Sequence, residues 1–268
     1  MSQVTASFLE RIVEARKAEV AASWGLLSPA DLERLACCAR SPRDFGSSLR
    51  GSASVAVIAE VKKASPSAGP IAPDADASKQ AVQYEAGGAA AVSVLTEPSV
   101  FLGSFADLSD AADAVDIPVL CKDFVVDPLQ LFVARGHCAD AVLLMVSILG
   151  DDLGRYLDVA TTLRLQCLVE VVSIEELDVA LRAGASLVAV NARDLRTLEV
   201  DPAAAAPVVT AAKRHGMTVV HASGVRSHAD VVSAAAAGAD AVLVGETLMR
   251  APFPEDVLSD LTGVPRRP

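Results

Sequence analysis

No apolar stretch in this chain runs uninterrupted for the ~20 residues that a membrane-spanning helix needs. Hydrophobic residues make up 52% of the 268, but much of that share is alanine, and even the very apolar segment 231–245 carries Gly238 and Asp240. Basic charge is also scarce. The formal net charge of −11 argues against general affinity for nucleic acid or anionic lipid, yet it permits a local basic pocket for an anionic small molecule. The five cysteines, Cys37, Cys38, Cys121, Cys138 and Cys167, are odd in number and form no C-x-x-C pair. Neither a disulfide framework nor a zinc site is expected, and most of them read as small, reduced core residues. The sequence shows no cluster of histidines and carboxylates suited to a metal, and no Ser–His–Asp arrangement. The first residues lack the basic-then-apolar order of a signal peptide. No linker or low-complexity stretch divides the chain. These absences point to a soluble, cytoplasmic protein of one domain.

What is present is a recurrent unit. A helical stretch ends at a glycine, and a short run of Ala, Val and Leu follows: Gly87–Leu95, Gly136–Met145, Gly184–Val190 and Gly238–Val244, and again after Gly216. Glycine suits the left-handed position just past a helix C-terminus. The apolar run is too short for a helix and nearly continuous, as a parallel strand buried on both faces reads. Strands are predicted near 55–62, 90–95, 118–122, 140–145, 167–171, 187–191, 218–222 and 241–245. Amphipathic segments such as Pro128–Arg135, Ile174–Arg182 and His228–Ala237 lie between them. Eight alternating units predict an α/β fold closed as a (β/α)₈ TIM barrel over residues 51–268. Residues 1–50 form a helical extension. Phe8, Leu9, Ile12 and Val13 share one helical face, and Ser28 is placed to cap a second helix, Pro29–Cys37, so these extra helices are expected at the barrel's bottom or rim.

In such a barrel, function sits at the C-terminal ends of the strands, where residues i and i+2 share a face. Glu60 and Lys62 share a face at the first strand's end, either as a structural ion pair or as one wall of a site. Lys122 ends the third strand, Glu170 interrupts the apolar fifth, and Asn191 and Arg193 share a face after the sixth. A carboxylate inside an apolar strand is costly unless paired. Gathered at one mouth, this set suits general acid–base chemistry on an anionic small molecule. His221 ends the seventh strand as an ambiguous neighbour of the site, whereas His137, His215 and His228 sit at helix ends. Ser223-Gly224 follows the seventh strand and Gly245-Glu246 the eighth, a common phosphate position in these barrels, and Ser65 offers a further hydroxyl.

The segment Ile58–Gly69 (IAEVKKASPSAG) resembles the signature of the indole-3-glycerol-phosphate synthase family. The likeness continues in order through Thr96-Glu97, Phe101-x-Gly103-Ser104, Lys122-Asp123-Phe124, Asp127-Pro128 and Leu168-Val169-Glu170-Val171. Asn191-Ala192-Arg193-Asp194-Leu195, Ser223-Gly224-Val225 and Val244-Gly245-Glu246 complete it. The resemblance implies a carboxy-lyase of tryptophan biosynthesis. Its substrate would be 1-(2-carboxyphenylamino)-1-deoxyribulose 5-phosphate, converted to indole-3-glycerol phosphate, CO₂ and water. It implies Lys122 as general acid at the substrate carbonyl, with Glu60, Lys62 and Glu170 positioning substrate and moving protons. Asn191, Arg193, Phe101 and Leu195 would contact the substrate; Ser65, Ser223, Gly224, Gly245 and Glu246 would hold its phosphate. Loss of CO₂ restores the aromatic ring, so no metal or other cofactor is called for. Burial and neighbouring cations are expected to lower the Lys122 pKa. The expected partner is this small phosphorylated, anthranilate-derived substrate, taken by a monomer or weak homo-oligomer without nucleic acid or membrane.

Several positions depart from the family's common pattern. Cys121 stands in place of an arginine, Val172 in place of a histidine, Ala68 in place of a lysine, and His221-Ala222 where a glutamate usually occupies 222. The last borders the site. Two alternatives stay open: another phosphate-binding barrel enzyme, such as an isomerase or Schiff-base aldolase, and a catalytically silent ligand-binding barrel.

Overall fold

A computed structural model describes residues 7–37, 39–195 and 197–267. Eight parallel strands close on themselves: β1 (Ala56–Val61), β2 (Ala91–Leu95), β3 (Val119–Lys122), β4 (Ala141–Met145), β5 (Gln166–Val171), β6 (Leu187–Asn191), β7 (Thr218–Ala222) and β8 (Ala241–Val244). β1 pairs with both β2 and β8, in register Ile58↔Ala91 and Ala56↔Ala241, which seals the barrel. Helices cover the outside, among them Leu129–Gly136, Ile174–Arg182 and His228–Ala237. The expected strands are all found within one or two residues of their predicted ends, and a TIM barrel is the fold.

Alternation along each strand divides the core in two. Val57, Ala59, Val92, Val94, Val169, Val188 and Val219 face the helices. Ile58, Leu120, Leu168 and Val220, from the odd strands, belong to the cluster inside the barrel. Alternate strands contribute such layers of four side chains in this fold. Two residues further along, the same strands contribute Glu60, Lys122, Glu170 and Ala222, which all line the mouth. Apolar layers thus give way to a charged one at the C-terminal end.

The N-terminal extension makes contacts at both ends of the barrel. In α3 (Phe45–Arg50), Phe45 and Leu49 are fully buried with Ala56 and Ala91 of the barrel. This helix is tied to the N-terminal strand ends by Gly46 N–H to Gln166 Oε1 (2.7 Å) and Arg50 Nη1 to Thr218 Oγ1 (3.0 Å). α1 (Phe8–Trp24) buries Leu9 and Ile12 in the same inner cluster. Its Arg16 reaches past the end of β3, donating to Asp123 from Nε (2.9 Å) and Nη2 (2.7 Å). α2 (Pro29–Cys37) starts as expected at Ser28, whose Oγ accepts the Asp31 N–H at 3.2 Å.

Three expectations are corrected by the structure. Glycine does not occupy the left-handed position after every helix: Gly88 rather than Gly87 does so (φ +90°), and Cys138 (φ +64°) does so after Gly136. Gly136 serves packing instead, because a Cβ there would lie 2.3 Å from Leu35 Cγ of α2. The cysteines are not mostly core: only Cys121 of the described four is buried, Cys37 is exposed, Cys138 and Cys167 are intermediate, and Cys38 lies outside the described residues. His221 shares its face with Val219, so it points toward the helices while Val220 and Ala222 point inward. Burial lowers its pKa, against a hydrogen bond with the Ser223 backbone.

Candidate active site

A cavity of about 530 Å³ opens at the C-terminal end of the strands. It is lined by every residue to which the family resemblance gave a role: Glu60, Lys62, Ser65, Phe101, Lys122, Glu170, Asn191, Arg193, Leu195, Ser223, Gly224, Gly245 and Glu246. Concave sites of this size with a few convergent polar groups hold small molecules.

Glu60 is the hub. Its Oε1 lies 3.0 Å from Lys62 Nζ and its Oε2 lies 3.0 Å from Lys122 Nζ, with the Glu60 side chain 2% exposed. Burial alone would raise its pKa, but the two ammonium groups outweigh this and hold it at about 2. Across the same layer, Glu170 accepts from Asn191 Nδ2 at 3.0 Å. Here burial prevails over Lys122 and Asn191, and the pKa is raised. One carboxylate is therefore held as the anion and the other is pushed toward its protonated form, a separation that marks distinct acid–base roles.

Lys122 departs from expectation. Burial works to lower its pKa, but Glu60 and Glu170 overcome that and the net shift is upward; Arg193 opposes them least among the causes. Its neighbours are chiefly anions rather than cations, so it stays an ammonium ion with a proton to give.

The remaining motif residues build the walls. Glu97 accepts the N–H groups of Ser99 (2.9 Å), Val100 (2.9 Å) and Phe101 (3.0 Å), which fixes the loop carrying Phe101. A Cβ on Gly103 would lie 2.0 Å from the Leu95 carbonyl oxygen, and Ser104 caps the next helix through the Asp107 N–H (3.0 Å). Arg193 donates from its N–H to Asn191 Oδ1 (3.0 Å) and from Nη1 to the Leu198 carbonyl (2.9 Å). Ser65 Oγ accepts the Ala68 N–H at 3.1 Å. Ser223 and Gly224 both have positive φ, +68° and +82°, a turn that aims successive N–H groups to one side. The Glu246 side chain turns to Arg250 Nε (3.0 Å) and is half exposed, leaving only its backbone N–H for a ligand.

A family model described as indole-3-glycerol phosphate synthase matches residues 9–261. The indole-3-glycerol phosphate synthase of Mycobacterium avium (strain 104) is 46% identical over 257 residues, covering 96% of this chain and 94% of that protein. The chain belongs to the indole-3-glycerol phosphate synthase family. Its counterpart in Mycobacterium leprae (strain Br4923) is 44% identical with the same coverage. Membership makes it a carboxy-lyase of tryptophan biosynthesis, as the motif implied. Among solved structures, a 3-hexulose-6-phosphate synthase aligns with TM-score 0.62 at 16% identity, covering 77% of this chain and 98% of that one. A mutant tryptophan synthase α-subunit from Pyrococcus furiosus aligns with TM-score 0.60 at 15% identity, covering 78% and 97%. At that identity these two bear on the fold alone.

Placed in the family barrel, the departures separate cleanly. Cys121 faces the helices, its Sγ 3.6 Å from Thr96 Oγ1. Val172 donates its N–H to Glu176 (2.9 Å), and His221 points outward. Of the changed positions only Ala222 lines the cavity. Among the other lining residues, Asp123 and Phe124 stand in the Lys122-Asp123-Phe124 motif without an assigned role, and Leu143, Met145, Leu198, Val200, Arg226, Thr247 and Arg250 escaped the sequence reading. Leu143 and Met145 were detectable, since they alternate inward on β4. Leu198 and Val200 were not, because a bridge between Arg193 and Val200 brings that loop back over the mouth.

Proposed function

We propose that this cavity closes the indole ring of 1-(2-carboxyphenylamino)-1-deoxyribulose 5-phosphate. Lys122 donates a proton to the ketone oxygen as the aryl carbon attacks. Loss of CO₂ restores the ring's aromaticity, and loss of water, helped by an acid and a base, completes the pyrrole. Glu170, whose pKa is raised by burial, takes the base role, while Glu60 remains the counter-ion that orients both lysines. Phe101 and Leu195 face the aryl ring, and Asn191 and Arg193 its carboxylate side. Ser65 and the turns at Ser223-Gly224 and Gly245-Glu246 receive the phosphate through hydroxyl and backbone N–H groups.

The observation that carries this assignment is the opposite treatment of two carboxylates in one layer around Lys122. The upward shift at Lys122 works against a Schiff-base aldolase, which needs a free amine. The test adds the substrate and follows indole fluorescence, with wild type, Lys122→Ala and Glu170→Gln in parallel. Turnover by wild type with severe loss in both variants is expected. Absence of signal at high enzyme concentration would overturn the substrate; undiminished variants would overturn the roles.

A one-domain chain is supported by the closure of all eight strands in one barrel preceded by helices that pack against it. The charge of −11 argues against nucleic-acid partners, among the described residues no helix is long and apolar enough to cross a membrane, and a cytoplasmic enzyme of amino-acid biosynthesis is the reading we adopt. We take it to act as a monomer or weak homo-oligomer, which sedimentation across a concentration series would check.

A further inference from the structure

Gly245 directly follows β8, the strand beside β1, and the pairing Ala59↔Val244 brings it level with Glu60. Its backbone does not demand glycine through a positive φ, because φ is −123°. Ser223 and Gly224 across the mouth differ in this respect, with φ of +68° and +82°. Space is the reason at Gly245. A Cβ there would stand 2.4 Å from Glu60 Oε1 and 3.1 Å from both Glu60 Cδ and Lys62 Nζ.

We infer that Gly245 is a positioning residue: its missing side chain is the recess into which the Glu60 carboxylate fits, and through Glu60 it sets both lysines. The inference deepens the proposed roles and rests on Glu60 being the counter-ion of Lys62 and Lys122. The three atoms nearest a methyl group at 245 belong to the carboxylate end of Glu60 and the Lys62 ammonium, flexible side-chain ends and not backbone. The fold therefore survives, but the carboxylate retreats by about 1 Å to reach normal contact distance. Both ion pairs stand at 3.0 Å, so a retreat of that size disrupts them. This role is separate from any backbone contact Gly245 makes with phosphate, because it concerns the Cα side of the residue.

The experiment is a double-mutant cycle of Gly245→Ala and Glu60→Asp, with Glu60→Gln alongside. Gly245→Ala is expected to lower kcat about a hundred-fold, as misplacement by about 1 Å does. Its melting temperature and its affinity for inorganic phosphate should stay near wild type. The alkaline limb of its pH profile should move to lower pH, since the Lys122 ammonium loses part of its counter-ion. In the Glu60→Asp background, where the shorter side chain leaves room, adding Gly245→Ala should cost little; the two effects are coupled rather than additive. If Gly245→Ala proves unstable, the same coupling is read in stability, with the cost reduced by Glu60→Asp. Wild-type kcat in Gly245→Ala, or a loss that adds fully to Glu60→Asp and matches a loss of phosphate affinity, overturns the inference. Wild-type activity in Glu60→Gln would instead overturn the underlying role of Glu60, whatever Gly245→Ala does.

Discussion

Buried carboxylates stand at both ends of this barrel, and the protein treats them in opposite ways. At the N-terminal end, Asp140 accepts from Arg40 Nη1 (2.6 Å) and Nη2 (2.9 Å) and from the N–H groups of Arg43 (2.7 Å) and Val119 (2.7 Å). Asp240 accepts from Lys213 Nζ (2.9 and 3.0 Å) and the Val219 N–H (2.8 Å). The two sit in matching segments, Ala139-Asp140-Ala141-Val142-Leu143 and Ala239-Asp240-Ala241-Val242-Leu243. Each ties the start of its strand to the preceding one. At the C-terminal end the described residues offer Glu170 one hydrogen bond, from Asn191, beside an open cavity. An ionised carboxylate has about four acceptor positions. Asp140 has them filled and is stitched into the fold; Glu170 keeps capacity for a proton. Burial of charge is thus common to both ends, and unfilled acceptor capacity facing a cavity is what sets the active end apart.

The sharpest way to break this contrast is Lys122→Ala. It should cut kcat by at least about a thousand-fold while circular dichroism and the thermal transition remain those of a folded barrel. Near-normal turnover would place the acid elsewhere. Next in size, Glu170→Gln should lower kcat about a hundred-fold or more. The matched amide change at the saturated end, Asp140→Asn, should leave the kcat of the folded enzyme within about two-fold of wild type, and equal losses would erase the distinction drawn here.

Stability should respond in the other sense. Asp123 lies beside Lys122 yet is saturated by Arg16 Nε and Nη2, by Thr96 Oγ1 (2.6 Å) and by the Phe124 N–H (2.8 Å). Both side chains of the pair are 1% exposed. Arg16→Met leaves that buried carboxylate without its counter-ion and should cost about 3–5 kcal/mol in urea denaturation. Asp140→Ala should cost somewhat less, about 3 kcal/mol, because Arg40 is 27% exposed and regains water. A change under about 0.5 kcal/mol in either variant would show that filled carboxylates are idle in stability as well.

The smallest effect is in pH. Glu60 has its folded pKa depressed to about 2 from an ordinary 4.5. Its contribution to stability is therefore fully present above 4.5 and is lost as pH falls toward 2. Glu170 shifts upward, so the acid limb of kcat/KM should lie above 4.5 if its carboxylate is the base. Glu60→Gln should flatten the stability change below pH 4.5 without moving the onset of the Glu170 limb far; the reverse pattern would exchange the two roles.

Much of this was legible from residue order. Strand positions were readable because glycine-to-apolar transitions are local. Inward-facing Glu60, Lys122, Glu170 and Asn191 were readable because side chains alternate every second residue. The fate of His221 was not resolved, though the same alternation, anchored on inward Val220 and Ala222, assigns it to the helix face. The Lys122 shift was misjudged because its sign depends on which charges lie nearest in space. Arg16 carries no local signal of its role, since its partner Asp123 is 107 residues away along the chain.

By itself, the sequence determined the eight-fold alternation, the family, and which strand ends carry polar side chains, because these depend on periods of two and on short contiguous motifs. Only the tertiary structure decided which carboxylates are filled and which remain available, that Glu60 joins two lysines, and that Gly245 is empty space for Glu60. The Glu60–Gly245 contact comes from strand closure between β1 and β8, which brings together residues 185 positions apart, and the others from side chains on separate strands; no local pattern encodes a distance across the barrel.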